Sequence, residues 1–317
     1  MRIHLLSTVN SDYVVPFRVM VHSLRRCRLA TAPITWHVLE SGLSAQDRVA
    51  IQTHLERSAI EIDWHRDADE RLAGLPLWGR AVTSMYQRML VPDVLPEAIN
   101  RMIYLDGDLL FLDAIDALWN TDISGSIIGA VQDAVIPYVS SPLGLRRYRE
   151  LGYQRTDPYF NAGVFIVDLE AWREHRVGEK AIDYLHRYAR SINLADQDAL
   201  NAVLHDRWTR LDDRWNIIGG SAGRAHFRPK GIDPARVTAA LREPAIIHFA
   251  GYLKPWMYRG LGSRWAGAYT DALFEVFPEY RFERTWKTLS TAFYDRHLRT
   301  YLYPLERLAW RTSRHLR

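Results

Sequence analysis

Two aspartates follow an apolar run near the middle of the chain, in the stretch "IYLDGDLLFLD" from Ile103 to Asp113. The apolar residues predict a buried strand, and in an extended segment residues i and i+2 project to the same side. Asp106 and Asp108 can therefore converge on one point, and Gly107 between them adds no side chain. Two carboxylates at such range repel each other unless a cation lies between them. The pair is typical of half of a divalent-metal site, and a plain acidic turn is the alternative.

A second polar group stands beside an apolar run about 140 residues later. The stretch "IIHFAGYLKPW" places His248 directly after a predicted strand, with Gly251 and Lys254 in the loop that follows. Two carboxylates and an imidazole, completed by diphosphate oxygens, would make an octahedral site suited to manganese. Lys254 would then neutralise the same diphosphate. Taken alone, a residue such as His248 is more often a histidine of the core than a metal ligand.

The elements that must position these residues alternate along the first part of the chain. "RIHLLST", "ITWHVLE" and "IEIDWHR" are typical of strands, and "FRVMVHSLRRC" and "SAQDRVAIQTHLERS" are typical of helices. This β-α-β-α-β order predicts an α/β fold with a mainly parallel sheet flanked by helices. Right-handed crossovers bring the carboxyl ends of such strands to one edge of the sheet, where ligands bind.

Later segments extend the same pattern. We predict a longer helix in "TSMYQRMLVPDVLP", one strand through "MIYLDGDLLFL", a strand in "GSIIGAVQDA" and a short helix in "RRYRELGY". "YFNAGVFIVDLEAWREH" predicts a strand that runs into a helix, and "ADQDALNAVLH" predicts the start of another helix. Because no linker stands out before about residue 262, we expect a catalytic domain over residues 1–262 and a C-terminal appendage over 263–317.

Composition bounds the class of protein. The chain has 317 residues, 48% hydrophobic and 25% charged, which is ordinary for a soluble globular enzyme. A single cysteine, Cys27, cannot form an internal disulfide, and no stretch approaches the roughly 18 to 20 apolar residues of a spanning helix. We therefore expect a cytoplasmic protein that does not cross a membrane.

The charge is unevenly distributed. Net charge is +4, but the segment from Arg281 onward carries nine basic and three acidic residues, so the rest of the chain sums to −2. This distribution argues against a nucleic-acid-binding body. The C-terminal segment itself mixes basic residues with aromatic and apolar residues at helical spacing, which predicts attachment to an anionic membrane surface on the cytoplasmic side. Packing on the catalytic domain or on a second copy is an equal alternative.

Taken together, the ordered blocks resemble the retaining glycosyltransferases of family 8. The matching stretches are "STVNSDY", "SMYQRMLVPDVLP", "IYLDGDLLFL", "YFNAGVFIVDLEAWR", "ADQDALN" and "IIHFAGYLKPW". They cover roughly residues 3 to 260. The resemblance implies a GT-A fold and a UDP-sugar donor used with Mn²⁺, with Mg²⁺ as the alternative ion. It also implies Asp106, Asp108 and His248 as the metal ligands.

The resemblance assigns further residues to the donor. Thr8, Val9, Asn10 and Tyr13 would line the uridine pocket, with Tyr13 stacked on the base. The remaining contacts fall into two groups. Residues that meet the nucleotide-sugar and its diphosphate would be Arg88, Gly107, Gly251 and Lys254. Residues around the transferred sugar would be Asp133, Asn161, Asp196 and Gln197, of which Asp133, Asp196 and Gln197 are the catalytic candidates.

Two departures from the family pattern stand out. Gly107 stands where alanine or another small residue is more common, which should not harm ligation. Val9 and Ser11 stand where relatives often carry more polar residues, so the base and ribose contacts are expected to differ.

The expected activity is transfer of glucose or galactose from UDP-glucose or UDP-galactose to an acceptor hydroxyl, with retention of configuration. The acceptor would be a glycan or glycolipid, such as lipopolysaccharide or another cell-surface glycan. A metal-dependent nucleotidyltransferase or phosphohydrolase is one alternative, although no Gly-rich phosphate loop precedes a basic residue near the N-terminus. A carbohydrate-binding module without activity is another.

Overall fold

A computed structural model gives the fold of the chain. It describes residues 2–27, 32–66, 70–72, 74–75, 85–90, 92, 95–219, 231–251 and 253–293. The strands are β1 Ile3–Asn10, β2 Ile34–Ser41, β3 Glu61–Arg66, β4 Arg101–Leu105, β5 Leu109–Phe111, β6 Ile128–Gln132, β7 Phe160–Asp168, β8 Trp208–Arg210, β9 Ile217–Ile218 and β10 Ile246–His248. The helices are α1 Val14–Cys27, α2 Ala45–Arg57, α3 Asp116–Trp119, α4 Leu169–Glu174, α5 Val177–Arg187, α6 Ala195–Val203, α7 Pro234–Arg242, α8 Ala266–Val276 and α9 Trp286–Phe293.

A seven-stranded sheet forms the centre of the described structure, in the order β3-β2-β1-β4-β7-β6-β8. The pairs β1–β2, β2–β3, β1–β4 and β6–β8 are parallel, and β7 runs antiparallel to both of its neighbours. The predicted α/β fold with a mainly parallel sheet is therefore confirmed. The β-α-β-α-β order of the first 66 residues is also confirmed.

Two apolar cores cover the two faces of this sheet. Phe17 of α1 and Ile51 and Leu55 of α2 pack with Trp36 on one face. The opposite face packs against residues of α4, α5 and α6, such as Trp172. Helices on both faces explain why the central strands β4 and β7 are buried at nearly every position.

The run "MIYLDGDLLFL" is two strands rather than the single strand predicted. Strand β4 ends at Leu105, a turn follows, and β5 leaves the large sheet to pair antiparallel with β10. Strand β9 completes this smaller sheet, in the order β5-β10-β9. An apolar run shows burial but not the partner strand, so the change of sheet at Gly107 was not visible in the sequence.

Two helix predictions have different outcomes. The segment "RRYRELGY" was expected to be a short helix, but residues 146–152 form consecutive turns, so that prediction is wrong. Of the longer helix expected in "TSMYQRMLVPDVLP", a short 3-10 helix is present at Gln87–Leu90, and part of the segment lies outside the described residues.

The segment after residue 262 is described as far as Phe293. Tyr269 and Leu273 of α8 are fully buried against Val19 of α1 and Trp256, and Phe282 packs against the same cluster. The hydroxyl of Tyr280 donates a hydrogen bond of 2.7 Å to the carbonyl of Trp256. The division at residue 262 remains a prediction. None of the helices in the described part of the chain combines the length and apolar character that a bilayer-crossing segment needs.

Candidate active site

The Asp106-Gly107-Asp108 turn lies where the two sheets meet. The backbone N–H of Asp106 donates to the carbonyl of Gly163 on β7, at 2.8 Å. On the other side, the carbonyl of Asp108 accepts from the N–H of Phe249, directly after β10, at 3.0 Å. Both aspartates are thereby anchored to strands. His248 is distant from them in the sequence, but β10 places it beside them.

The three predicted metal ligands converge. Nε2 of His248 lies 3.6 Å from Oδ2 of Asp106 and 3.3 Å from Oδ1 of Asp108. Oxygen ligands at about 2.1 to 2.5 Å from one ion lie about 3.0 to 3.5 Å from their neighbours in an octahedral arrangement. These side chains are therefore spaced so that one divalent cation can contact all three.

The hydrogen bonds of the neighbouring amides fix which nitrogen of His248 is available. Oδ1 of Asn161 accepts from the backbone N–H of Gly163 at 3.0 Å, so the atom of Asn216 that faces it at 2.9 Å is Nδ2. Oδ1 of Asn216 then faces Nδ1 of His248 at 3.0 Å and accepts its proton. Nε2 is left with a lone pair directed toward the carboxylates, as in metal-binding histidines with an oriented ring.

Asp108 supplies the clearest indication that the site fits a cation. Its Oδ1 is buried and accepts no hydrogen bond among the described residues. A buried carboxylate oxygen in that condition is costly unless a cation compensates it. Burial alone would raise the pKa of Asp108, but the neighbouring Lys254 ammonium opposes this, and the pKa lies well below its usual range. Two carboxylates and an imidazole suit Mn²⁺ and related divalent ions.

Gly163 creates the space in which these ligands meet. A Cβ added there would lie 2.2 Å from Cε1 of His248 and 2.9 Å from Oδ2 of Asp106. Any larger residue would therefore push the imidazole away from the carboxylates. The requirement for glycine at this position is steric.

Lys254 lies on the other side of Asp108. Its ammonium contacts Oδ2 of Asp108 and donates a 2.9 Å hydrogen bond to the carbonyl of Phe249. Burial would lower the pKa of Lys254, but Asp108 and Tyr13 raise it above its ordinary value, so the cation is retained. The ammonium lies 5.8 Å from the centre of the Tyr13 ring and 5.4 Å from that of Trp256. A fixed positive charge therefore stands next to the proposed metal ligands.

Arg88 links the metal ligands to the start of α6. Its Nη2 lies 2.8 Å from Oδ1 of Asp106, and its Nε lies 2.8 Å from Oδ2 of Asp196. The guanidinium is buried and also lies over the ring of Tyr104, 4.6 Å from its centre. Burial raises the pKa of Asp196 to about 6, with Arg88 opposing and Asp106 reinforcing that shift. Arg88 is thus a fixed bridge between two carboxylates.

A chain of polar side chains leads from His248 to the residues predicted to contact the sugar. Oδ2 of Asp133 accepts from Nδ2 of Asn161 at 2.9 Å and from Nε2 of Gln197 at 3.2 Å. Oδ1 of Asp133 accepts from the N–H groups of residues 135 and 136. Gln197 is half-buried, and its Oε1 accepts from the N–H of Ala162 at 3.1 Å. The four residues predicted at the sugar therefore lie around one region, and their roles stay predictions.

The predicted uridine residues surround the end of β1. Oδ1 of Asn10 accepts from the N–H of Asp12 at 3.1 Å and caps the turn that carries Tyr13. The Tyr13 ring packs edge-on against Trp256, and burial raises its pKa to about 12. Thr8 also lies on β1, whereas the side chain of Val9 is fully buried in the core on the α1 side. Only the backbone of Val9 can therefore face a ligand.

Glycine is favoured at two positions near this region, for different reasons. A Cβ at Gly107 would lie 2.9 Å from Cδ1 of Tyr13, so the small residue makes room for that ring. Gly251 has a φ of +83°, a backbone conformation that favours glycine, and no atom of the described residues lies within 4 Å of an added Cβ. Gly107 is itself buried, whereas Gly251 is exposed.

Sequence reasoning missed Asn216, which fixes the His248 ring. Asn216 is a buried polar residue directly before β9, so the signal was the same as for His248, a polar side chain beside an apolar run. Strand β9 has only two residues, which is too short to recognise as a strand. Trp256 was noted in the sequence only as part of its motif, and it packs beside Tyr13 and Lys254.

Several known proteins are similar to this chain in sequence and in fold. General stress protein A of Bacillus subtilis (strain 168) is 28% identical over 257 residues, which cover 80% of this chain and 87% of that protein. Probable galacturonosyltransferase-like 3 of Arabidopsis thaliana is 26% identical over 241 residues, covering 74% of this chain and 61% of the relative.

Among solved structures, the galactosyltransferase LgtC in complex with donor and acceptor sugar analogues has a TM-score of 0.74 and 24% identity. The match covers 91% of this chain and all of that one, and it shows the same α/β fold. The family described as glycosyl transferase family 8 matches residues 4–260, which contain both aspartates of the turn, His248 and Lys254. The chain is a glycosyltransferase and belongs to glycosyl transferase family 8.

Proposed function

We propose that this enzyme transfers a hexose, glucose or galactose, from a UDP-sugar to an acceptor hydroxyl with retention of configuration and with Mn²⁺ as its cofactor. The observation that carries the proposal is the convergence of Asp106, Asp108 and His248, with the Lys254 ammonium against the same Asp108 carboxylate. A divalent ion with an adjacent fixed cation is the arrangement that a nucleoside diphosphate leaving group requires.

The metal site and the lysine act on the departing UDP. Asp106, Asp108 and His248 would hold Mn²⁺, which when bound neutralises charge that develops on the diphosphate. Lys254 is buried, charged and held by the carbonyl of Phe249, so it stabilises the same charge without having to reorganise. Gly251 leaves the loop open for phosphate oxygens to approach.

The arrangement of carboxylates favours attack from the same face as the leaving group. A double displacement needs a free carboxylate close to the anomeric carbon. Asp196 is paired with Arg88, and both oxygens of Asp133 accept hydrogen bonds. Neither carboxylate is therefore free to act as the nucleophile. Gln197 is the accessible residue of this group, and an amide is a poor nucleophile.

The bond changes of the proposed reaction balance without a further reactant. The bond from the anomeric carbon to the β-phosphate oxygen breaks, and its electron pair stays on UDP. The acceptor oxygen forms the new bond to the anomeric carbon on the same face. Its proton passes to the departing phosphate oxygen. Gln197 and Asp196 position the sugar while it has oxocarbenium character.

We also propose that the acceptor is a glycan or glycolipid at the cytoplasmic membrane surface, such as lipopolysaccharide. The described part of the C-terminal segment supports this through the exposure of its large side chains. In α9, Trp286 is 86% exposed, Phe293 is 59% exposed and Leu289 is 37% exposed. The basic residues from 296 onward, on which the membrane interpretation also depends, lie outside the described residues.

A donor screen tests the proposed reaction. UDP release should occur with UDP-glucose or UDP-galactose in the presence of Mn²⁺, and it should stop when the ion is chelated. GDP-mannose and ADP-glucose are the matched controls and should give little release. NMR of the product formed from an acceptor should show the anomeric configuration of the donor. Absence of turnover with every UDP-hexose, or an inverted product, would contradict the proposal.

A further inference from the structure

A second group of metal-binding side chains lies on the large sheet, away from the candidate active site. His37 is on β2, and Asp63 and His65 are on the edge strand β3. Asp63 is paired in register with His37, and residues 63 and 65 share one face because they are two apart in a strand. Strand β1 separates β2 from β4, which carries the catalytic turn.

The three donor atoms form a nearly regular triangle. Nδ1 of His37 lies 3.1 Å from Nε2 of His65 and 3.2 Å from Oδ2 of Asp63. The remaining edge, from Nε2 of His65 to Oδ2 of Asp63, is 3.4 Å. Ligands at about 2.0 to 2.1 Å from a tetrahedral Zn²⁺ lie about 3.3 to 3.4 Å from each other. The spacing is therefore that of one face of a zinc tetrahedron.

A third histidine, His4, orients the most buried ring of the group, that of His37. Nε2 of His37 lies 3.0 Å from Nδ1 of His4 on β1. When the ring proton of His37 is on Nε2, His4 accepts it and Nδ1 keeps its lone pair for a metal. This is the oriented-ring arrangement of metal-binding histidines.

We propose that His37, Asp63 and His65 form a second metal site that binds Zn²⁺, with His4 orienting the ring of His37. Two imidazoles and one carboxylate are a common zinc ligand set, and they leave a fourth position for water. Solvent reaches that position, since the side chain of Asp63 is 47% exposed and that of His65 is 13% exposed. The bound ion cross-links the edge strand β3 to β2.

Cobalt provides the direct test, because tetrahedral Co²⁺ absorbs visible light strongly and octahedral Co²⁺ only weakly. The untagged full-length protein, freed of metal with a chelator, is titrated with Co²⁺ and then with Zn²⁺ as competitor. The wild type should develop the intense tetrahedral bands, and Zn²⁺ should remove them. The catalytic ligands, expected to hold an octahedral ion, should contribute little to this spectrum.

Variants assign the signal to these residues. The double variant Asp63→Asn with His65→Gln should lose the tetrahedral bands and bind Zn²⁺ at least about 100-fold more weakly. His186→Gln, which alters an exposed histidine of α5, is the matched control and should keep both. His37, Asp63 and His65 lie outside the candidate active site, so the double variant should keep its Mn²⁺-dependent UDP release. That activity also shows that the variant is folded.

Thermal unfolding gives a second readout. Zn²⁺ at about 100 times its dissociation constant should raise the Tm of the wild type by about 5 °C more than that of the double variant, which keeps only the catalytic ligands. If the double variant does not fold, the single variant His65→Gln replaces it with the same expectations. No tetrahedral spectrum in the wild type, or the same spectrum and Zn²⁺ affinity in the variants, would overturn the proposal.

Discussion

His248 can reach the two carboxylates because glycine occupies position 163. A Cβ at that position would overlap the imidazole and crowd Oδ2 of Asp106, as the distances of 2.2 and 2.9 Å show. His248 and Asn216 are both buried, and the 3.0 Å hydrogen bond between them holds the ring in its position. The absence of a Cβ at residue 163 therefore determines whether the three ligands can come together.

Gly163→Ala should weaken the metal site more than it weakens the fold. We expect the Mn²⁺ concentration for half-maximal UDP release to rise by about 10- to 100-fold, the usual effect of displacing a ligand ring. Gly267→Ala is the matched control, since Gly267 lies in α8 with nothing within 4 Å of an added Cβ. An unchanged Mn²⁺ requirement in Gly163→Ala would show that His248 is not a ligand.

Gln197→Ala tests the residue nearest to the predicted sugar face. If Gln197 makes an obligatory contact in the transition state, kcat should fall by more than about 10-fold. The variant also removes the hydrogen bonds to Asp133 and to the N–H of Ala162, so a melting curve must accompany the rate measurement. A variant that folds normally and keeps more than about a tenth of kcat would rule out an obligate role.

At the scale of residues, the sequence predicted the metal ligands but not the residue that holds the His248 ring in position. Asp106, Asp108, His248 and Lys254 were predicted to act together, and they are in contact. Asn216 was not predicted, although it too is a polar residue beside an apolar run, because the two-residue strand β9 that follows it is too short to recognise. Val9 was predicted in the uridine pocket, but its alternation along β1 directs its side chain into the core.

At the scale of elements, the start of α6 concentrates buried acidic groups. Asp196 and Asp198 are both buried in the first turn, and Ala195 before them has a φ of +43°, an uncommon value for a residue other than glycine. Oδ2 of Asp198 accepts from the N–H groups of residues 193 and 194, and Oδ1 accepts from the hydroxyl of Tyr159 at 2.6 Å. The helix start is thereby fixed, which positions Gln197.

Asp198 should make folding stability depend on pH. Burial raises its pKa to about 6, although its hydrogen bonds oppose the shift, so the folded state holds a proton that the unfolded state releases near pH 4. Its contribution is therefore fully present below about pH 4 and is lost as pH rises through about 6. Between pH 5 and pH 7.5 the wild type should lose about 1 kcal/mol of unfolding free energy relative to Asp198→Asn.

Urea denaturation of both proteins at several pH values measures this difference. Asn at position 198 keeps the shape of the side chain and acceptors for the same backbone N–H groups, so it serves as a non-titrating control. A difference between the two proteins that is constant with pH, or that changes in the opposite direction, would contradict the assignment.

The elements themselves were predictable to different degrees. The helices α1 and α2 and the strands β1 to β3 match the predicted segments closely, because helix-like and strand-like stretches alternate clearly in this part of the sequence. The break between β4 and β5 could not be predicted, because pairing of β5 with β10 depends on contacts more than 130 residues apart, as between Phe111 and Ile246. The turns at residues 146–152 carry helix-forming residues, yet tertiary contacts override that preference.

At the scale of the whole molecule, the C-terminal segment has two parts with different surroundings. Phe282 and the residues of α8 pack against α1 and Trp256 and so support the loop that carries Lys254. In contrast, Trp286 and Phe293 of α9 are exposed. Large apolar side chains at a surface near a basic segment are typical of membrane attachment.

Co-sedimentation with vesicles tests that attachment. The full-length protein should bind vesicles that contain anionic lipid, and binding should weaken with salt, since each basic residue near the surface adds about 1 kcal/mol. A version that ends at Glu283 keeps the packed part and should not bind, while neutral vesicles control for apolar adsorption. Equal binding by both proteins, or none at low salt, would discard the membrane proposal.

The most direct test of the proposed function is Mn²⁺-dependent UDP release by Asp108→Ala, measured beside the wild type with UDP-glucose and UDP-galactose. Asp108 has a buried oxygen that accepts no hydrogen bond from any residue in the described ranges, and it also contacts Lys254. The variant should lose at least about 100-fold in turnover, whereas the exposed control Asp122→Asn should match the wild type. Full Mn²⁺-dependent activity in Asp108→Ala would contradict the account.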